Sequence, residues 1–311
     1  MTPTRTGILI PLAAMVLFWA LTPISIAWIK DDFSLIFQVW LRYCCSAAAL
    51  WLLLLRKRTF GSDLHRCLQE KSYYVSRLSV TALCTIMFQL LYTWCFMLIP
   101  PGFGVLLYQS QVIFSVVLGI IFFSSERQLI RRRGTLYGIA TALVGAVLVI
   151  VFQSHGFSVV INMGILLALG GALSWSLVGI TVKLWVGERL TPLFTVTVVF
   201  TLVTMFLVPV VLMTGPHVKG TPSALKWIVL VGSGLLGIAG GQALFYYLLP
   251  VLGVITASSA QLLVPFLTAI FSYLLFGEGI TVLQSFGGIM LLGGCQLVLM
   301  QKRRLIKDAA R

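Results

Sequence analysis

Four glutamines and one arginine, Gln89, Gln109, Gln242, Gln261 and Arg42, lie inside long apolar stretches of this chain. A strongly polar side chain among hydrocarbon neighbours needs a partner, a wet cavity or a ligand. An amide offers donors and acceptors together, which suits a neutral or zwitterionic solute, and its competing use is a hydrogen bond between helices. Arg42 pairs with a substrate carboxylate or phosphate, or else snorkels outward or caps carbonyls at a helix end. Trp19 and Trp175 sit deep in their stretches, far from the interfacial level tryptophans prefer, and read as cavity walls. Tyr92, Trp94, Tyr108, Tyr246 and Tyr247 add aromatic surface with polar tips, suited to a solute or to packing. All of this is recognition chemistry. Bond-making chemistry would need a cluster of nucleophile, base or metal ligands. The eight acidic residues fall in loops or at helix ends, and His65, His155 and His217 are scattered among loops. Cys44, Cys45, Cys84, Cys95 and Cys295 lie within apolar stretches and Cys67 in a loop, which suits neither a bridge nor a metal. No enzyme activity, metal site or cofactor is expected.

The elements that position these residues follow from composition. Hydrophobic residues make up 59% of the 311 and charged residues 10%, too little charge to cover a soluble globule. Flanking charges, prolines and glycines divide the chain into ten spans, at 7–29, 33–55, 75–99, 102–123, 134–152, 164–186, 192–214, 226–249, 252–276 and 280–300. The expected fold class is an all-α polytopic membrane protein. The first span runs into Lys30-Asp31-Asp32 without a small-residue cleavage site and reads as retained. Of the 22 cations, 18 fall on one side if the chain begins in the cytoplasm, among them Arg56 to Arg58, Arg131 to Arg133 and Lys302 to Arg304. This bias places both termini in the cytoplasm and assigns the net charge of +14 to orientation and anionic lipid headgroups, not to nucleic acid.

An internal repeat organises the spans. A shift of 156 superposes Leu17 to Leu21 on Leu173 to Leu177, and a shift of 152 superposes Gln109 on Gln261, Phe114 on Phe266 and Glu126 on Glu278; Gly138 and Gly145 answer Gly287 and Gly294. Units 1–153 and 162–301, followed by a basic tail 302–311, hold five spans each. An odd number makes the second unit cross in the opposite sense, the inverted-repeat plan of secondary transporters. The four-residue spacings Gly134/Gly138 and Gly237/Gly241 allow close helix approach, and Pro11, Pro23 and Pro265 kink or break spans.

The stretch Gly241-Gln242-Ala243-Leu244-Phe245-Tyr246-Tyr247, the run Ala257 to Pro265 with Gln261, the segment Leu275-Phe276-Gly277-Glu278, and Gly287 and Gly294 resemble the second repeat of EamA-type carriers of the drug/metabolite transporter superfamily. Val39-Trp40-Leu41-Arg42-Tyr43 is similar to the Arg-Phe segment of their first repeat, although Ile113 stands where the second repeat has Pro265. The resemblance implies a ten-helix, multi-pass carrier that moves small metabolites, often outward, across a bacterial inner membrane, with the first, third, fourth, sixth, eighth and ninth spans around its cavity. The candidate solute-binding residues are Trp19, Gln89, Tyr92, Gln109, Trp175, Tyr246 and Gln261, with Arg42 as a possible anion contact. The expected partners are a small-molecule solute and membrane lipids, in a monomer or homodimer. With no midplane carboxylate, facilitated diffusion or exchange is expected; proton coupling through Glu126 or Glu278, as in a drug efflux carrier, is the alternative. A channel would instead show rings of pore residues in a symmetric oligomer, and a non-transporting interaction subunit would show no solute flux.

Overall fold

The computed structural model describes residues 5–124, 127–152, 163–185, 189–215, 217–252 and 260–309. Among them nine helices are long and apolar enough to cross a membrane, and a shorter apolar helix, Val264–Phe276, makes the tenth apolar element. The protein is an all-α polytopic membrane protein. Its outward faces carry large exposed apolar side chains such as Leu83, Met87, Ile121, Val147 and Leu274, a surface suited to hydrocarbon and not to water.

Four details depart from the ten uniform spans. Lys71–Leu98 begins about a turn earlier than expected, and the loop before it folds into a short helix, Phe60–Gln69, that carries Cys67. The final helix, Val282–Ala309, continues through the basic tail. The eighth span passes through a π-helical segment, Ser233–Gly240. The fourth span is broken into Pro101–Tyr108 and Gln111–Phe122, and Val264–Phe276 likewise starts after turn residues 262 and 263. Of the residues in the ninth expected span, 253–259 lie outside the described set, as does Glu126.

The packing is two-fold in pattern. The fifth span packs on the tenth and the second on the seventh, each on its own repeat mate; the third–sixth contact is mirrored by eighth–first, and fourth–sixth by ninth–first. The fifth–tenth contact depends on glycine. A Cβ on Gly145 would lie 2.5 Å from Gly287 O, and one on Gly294 would lie 2.5 Å from Gly138 O. These pairs run antiparallel, Gly138 against Gly294 and Gly145 against Gly287, so the two backbones touch directly where no methyl group fits.

Mated helix starts are tied to opposite faces of the protein. Ser34 caps Leu35–Leu54 and Thr191 caps Pro192–Met213, each accepting from the amide three residues on. Thr191 also donates its hydroxyl to Asp63 Oδ2 at 2.5 Å and its N–H to Asp63 Oδ1 at 3.3 Å, while Arg66 donates to Arg189 O at 2.9 Å. On the other face Ser34 donates its N–H to His217 O at 2.8 Å, Ser34 Oγ lies 3.1 Å from His217 Nδ1, Phe37 stacks on the His217 ring, and Lys226 pairs with Asp32. Each clasp therefore joins the capped start of one mated helix to a connecting segment of the other half, the short helix Phe60–Gln69 in one case and the loop at His217 in the other.

Two outcomes test this arrangement. Gly145→Ala should lower the detergent melting temperature by the equivalent of about 1 to 3 kcal/mol of overpacking. Gly293→Ala, one residue from Gly294 but with nothing within 4 Å of its would-be Cβ, should leave stability unchanged or raise it. For orientation, an impermeant maleimide should label Cys67 in inside-out vesicles and not in intact spheroplasts, since the other five cysteines lie in spans. Burial pushes the Cys67 thiol up, so the reactive thiolate is scarce at neutral pH and labelling should quicken as pH rises towards 9. Labelling from outside the cell would reverse the assigned faces.

Candidate functional site

The two helix breaks meet. Gln109 closes Pro101–Tyr108 as its C-terminal cap, and its Nε2 donates to Gln261 O at 3.4 Å. Sequence spacing put both glutamines in mid-helix; Gln109 is indeed near the middle of the span Pro101–Phe122, but both sit where the i→i−4 ladder tightens into a turn, with Gln109 N–H donating to Leu106 O and Leu263 N–H to Ala260 O. The backbone stays bonded through the turn, with Val112 N–H donating to Gln109 O at 3.1 Å, and polar groups there make further bonds to neighbouring spans. Cys295 Sγ donates to Gln109 O at 3.6 Å, Ser176 Oγ donates to Gln111 O at 2.9 Å, and Gln111 Nε2 reaches Gln109 Oε1 at 3.4 Å. Hydroxyls just beyond the breaks tie them to the tryptophan helices in a mirrored way. Thr268 donates to Ala20 O at 3.1 Å beside Trp19, and Ser115 donates to Ser176 at 3.0 Å beside Trp175. In hydrocarbon, irregular backbone is stable only where protein or a wet cavity covers it, and both conditions hold here.

Around the breaks lies a cavity of about 110 Å³, walled by Trp19, Gln89, Tyr92, Gln109, Trp175 and Gln261. Roughly 10 to 15 Å³ holds one water, so this space takes several waters or a small solute. The walls are built in mated pairs. Trp19 packs on Phe245 with centroids 5.7 Å apart and Trp175 packs on Phe88 at 4.9 Å, and a shift of 157 carries Phe88 onto Phe245. The same shift carries Tyr43 onto Phe200, which meet edge to face at 4.7 Å and both reach the wall. Mates that touch each other lie on the axis relating the halves. The second and seventh spans therefore also contribute, in addition to the six implied by resemblance.

Six of the seven expected solute-binding residues thus share one cavity. Tyr246 is the exception: it accepts a hydrogen bond from Gln242 Nε2 at 3.1 Å, and Gln242 is the residue of that pair on the wall. Tyr108 also lines the wall, whereas Trp94 and Tyr247 are 43% and 55% exposed and face outward with the lipid-facing side chains. Sequence reading missed Thr22, Tyr43, Phe88 and Gln111, which carry no signal beyond the repeat itself. Close approach shapes the wall as well: Gly241 lies against the Trp19 indole, where a Cβ would collide with the ring. Arg42 neither snorkels nor caps. It is wholly buried, and none of its guanidinium nitrogens has a hydrogen-bond partner among the described residues.

Known proteins are consistent with this plan. Residues 162–300 match the EamA-like transporter family, the resemblance first read from the segment between Gly241 and Gly294. An uncharacterized transporter of Haemophilus influenzae is 35% identical over 77 residues, a stretch covering 25% of this chain and 25% of that protein. One protein of known crystal structure superposes on 97% of this chain and 99% of its own with a TM-score of 0.59 at 15% identity, which shows a shared fold.

The two glutamines should separate in their structural roles. Gln109→Leu removes an interhelical bond and the partner of Gln111, so it should lower stability by about 0.5 to 1.5 kcal/mol, a melting shift of one to a few degrees. Gln261→Leu removes a side chain with no hydrogen bond of its own among the described residues and should melt like wild type. Paired thermal melts in detergent decide it; equal losses would show that the Gln261 amide is also a structural tie.

Proposed function

We propose that this chain, with an EamA-like unit at residues 162–300, is a secondary transporter carrying a small polar or aromatic metabolite, an amino acid or related solute, outward across a bacterial inner membrane by alternating access. The observation that carries this reading is the meeting of two repeat-related helix breaks at one cavity. Breaks of this kind present backbone and side-chain polar groups at midplane without exposing them to lipid, which is how inverted-repeat carriers bind solutes. The aromatic walls supply apolar contact, and the amide of Gln261, which bonds no other side chain or backbone group among the described residues, supplies hydrogen bonds a solute can use. The Asp63–Thr191 and His217–Ser34 clasps supply the two gates, since each closes a mated position on its own face.

Among the described residues no acidic side chain lines this cavity. That favours facilitated diffusion or exchange over proton coupling. Glu278, the alternative proton carrier within the described residues, accepts from Ser272 at 2.6 Å in a separate pocket with Gln284. Both termini lie in the cytoplasm in this reading, as the distribution of cations favours.

Flux into proteoliposomes tests the proposal, after an export screen on a deletion strain has supplied the solute. Wild type should transport it without an imposed pH gradient. Gln261→Leu should weaken apparent affinity about five- to hundred-fold, the loss of 1 to 3 kcal/mol from one buried polar contact, at unchanged protein level. Strict dependence on a proton gradient would favour the Glu278 route. Normal transport by Gln261→Leu would move the site elsewhere, and absence of any flux would favour an interaction subunit.

A further inference from the structure

We infer that the transported solute carries a single carboxylate and that Arg42 receives it. This rests on the carrier reading above and narrows its substrate class. Arg42 is 0% exposed, and its Nε, Nη1 and Nη2 are all buried without a hydrogen-bond partner among the described residues. A guanidinium stays charged in proteins, so it cannot escape burial by losing a proton. The Arg42 side chain does not reach the interface, being wholly buried, and its backbone is held in place. Ser46 Oγ bridges Arg42 O at 2.6 Å and Gly234 O at 2.9 Å, and the π-helical segment presses so closely that a Cβ on Gly234 would come within 2.6 Å of Arg42 O.

The described acids are committed or distant in the fold. Asp32 holds Lys226, Asp63 holds Thr191, Glu70 faces Arg189 and Glu278 holds Ser272. Arg42 is wholly buried and does not itself line the cavity, but Tyr43, its neighbour in the chain, and Gln89 and Tyr92 of the third span are all on the wall. The third span brings Gln89, Tyr92 and Thr93 to one helical face, and Gln89 Oε1 and Thr93 Oγ1 are likewise buried without partners. A cation, a hydroxyl donor and an amide acceptor thus stand without partners among the described residues, close to a cavity lined by aromatic rings and amides. A carboxylate accepts from both the guanidinium and the hydroxyl, while the Gln89 oxygen, itself an acceptor, is left for a donor elsewhere on the solute. The two carboxylate oxygens match the planar fork of a guanidinium, and one negative charge cancels one positive charge, whereas a doubly charged phosphate would leave a net charge in the cavity. Arg42 has no cationic counterpart in the other half, where a shift of 157 places Val199, so a single anionic group has a single receiver.

The test uses purified protein in detergent, read by tryptophan fluorescence and thermal melting. Acetate, benzoate, 3-phenylpropionate and L-phenylalanine are each titrated against the matching carboxamide. At least one carboxylate should bind saturably to wild type and about tenfold or more tighter than its carboxamide, the ratio expected of a charge-assisted pair against a neutral one. Arg42→Gln should bring that ratio to about one while the solute-free protein melts at or above wild type, because an unpaired buried charge has been removed. Arg42→Lys should keep a reduced preference, and it decides the matter if Arg42→Gln is not recovered folded. Binding of no carboxylate by wild type, or a preference that survives in Arg42→Gln, would overturn the inference. Gln261→Leu should weaken carboxylate and carboxamide alike, and carboxylate binding through Arg42 without flux in proteoliposomes would defeat the carrier reading while leaving this assignment intact.

Discussion

A helix that turns irregular inside a bilayer must keep its amides and carbonyls bonded without water, and the centre of this protein is organised around two such points, where the ladder tightens into i→i−3 turns. Each unsatisfied group costs several kcal/mol in hydrocarbon, more than any single packing contact returns. At Gln109 the backbone stays bonded through i→i−3 turns, and neighbouring spans add Cys295, Ser176 and the Gln109 amide as further partners at the two points. The same need to bring those partners close explains the hydroxyl ties beside Trp19 and Trp175 and the adjacency of the fourth and ninth spans to the sixth and first. A cavity at this point follows from the geometry. Side chains cannot fill the space beside a helix that turns away, and what remains is walled by the aromatic pairs.

Two-fold repetition builds most of this and departs from itself where recognition is needed. Trp19 with Phe245 and Trp175 with Phe88 are near equivalents, as are the caps Ser34 and Thr191. The departures are polar. A shift of 157 carries Gln89 onto Tyr246, yet Gln89 reaches the cavity and Tyr246 turns to Gln242; the same shift carries Arg42 onto Val199. A symmetric scaffold with asymmetric polar groups suits a carrier, since the frame must rock equally towards either face while the solute is held in one orientation. The clasps follow the same logic, with a carboxylate on one face and an imidazole on the other serving equivalent positions.

Much of the fold was legible in the sequence because hydropathy and loop charge are summed over about 20 residues per span and survive local error. The repeat was legible too, since Gln109 and Gln261 stand out against apolar neighbours. What the repeat could not reveal was that these residues mark breaks. Leu107-Tyr108-Gln109-Ser110-Gln111 contains neither proline nor glycine, and the turn there meets partners from distant spans. The short helix Phe60–Gln69 was missed because a search for spans passes over ten-residue segments, although its Asp63 closes one clasp. Gly138, Gly145, Gly287 and Gly294 were visible as a repeat, while their reciprocal contact is a three-dimensional fact. Arg42 was visible as an anomaly, but the pinning of its backbone by Ser46 and Gly234 lies in tertiary structure.

The central claim is that one cavity opens to each face in turn, and spin-label distances across the two clasps test it most directly. Labels at the positions of Gly61 and Arg189 report the Asp63 clasp, and labels at Asp31 and Lys219 report the His217 clasp; all four positions are exposed. Asp63→Ala should lengthen the first distance while the second stays short, and His217→Ala should do the reverse. Simultaneous lengthening at both faces, or no response at either, would contradict alternating access.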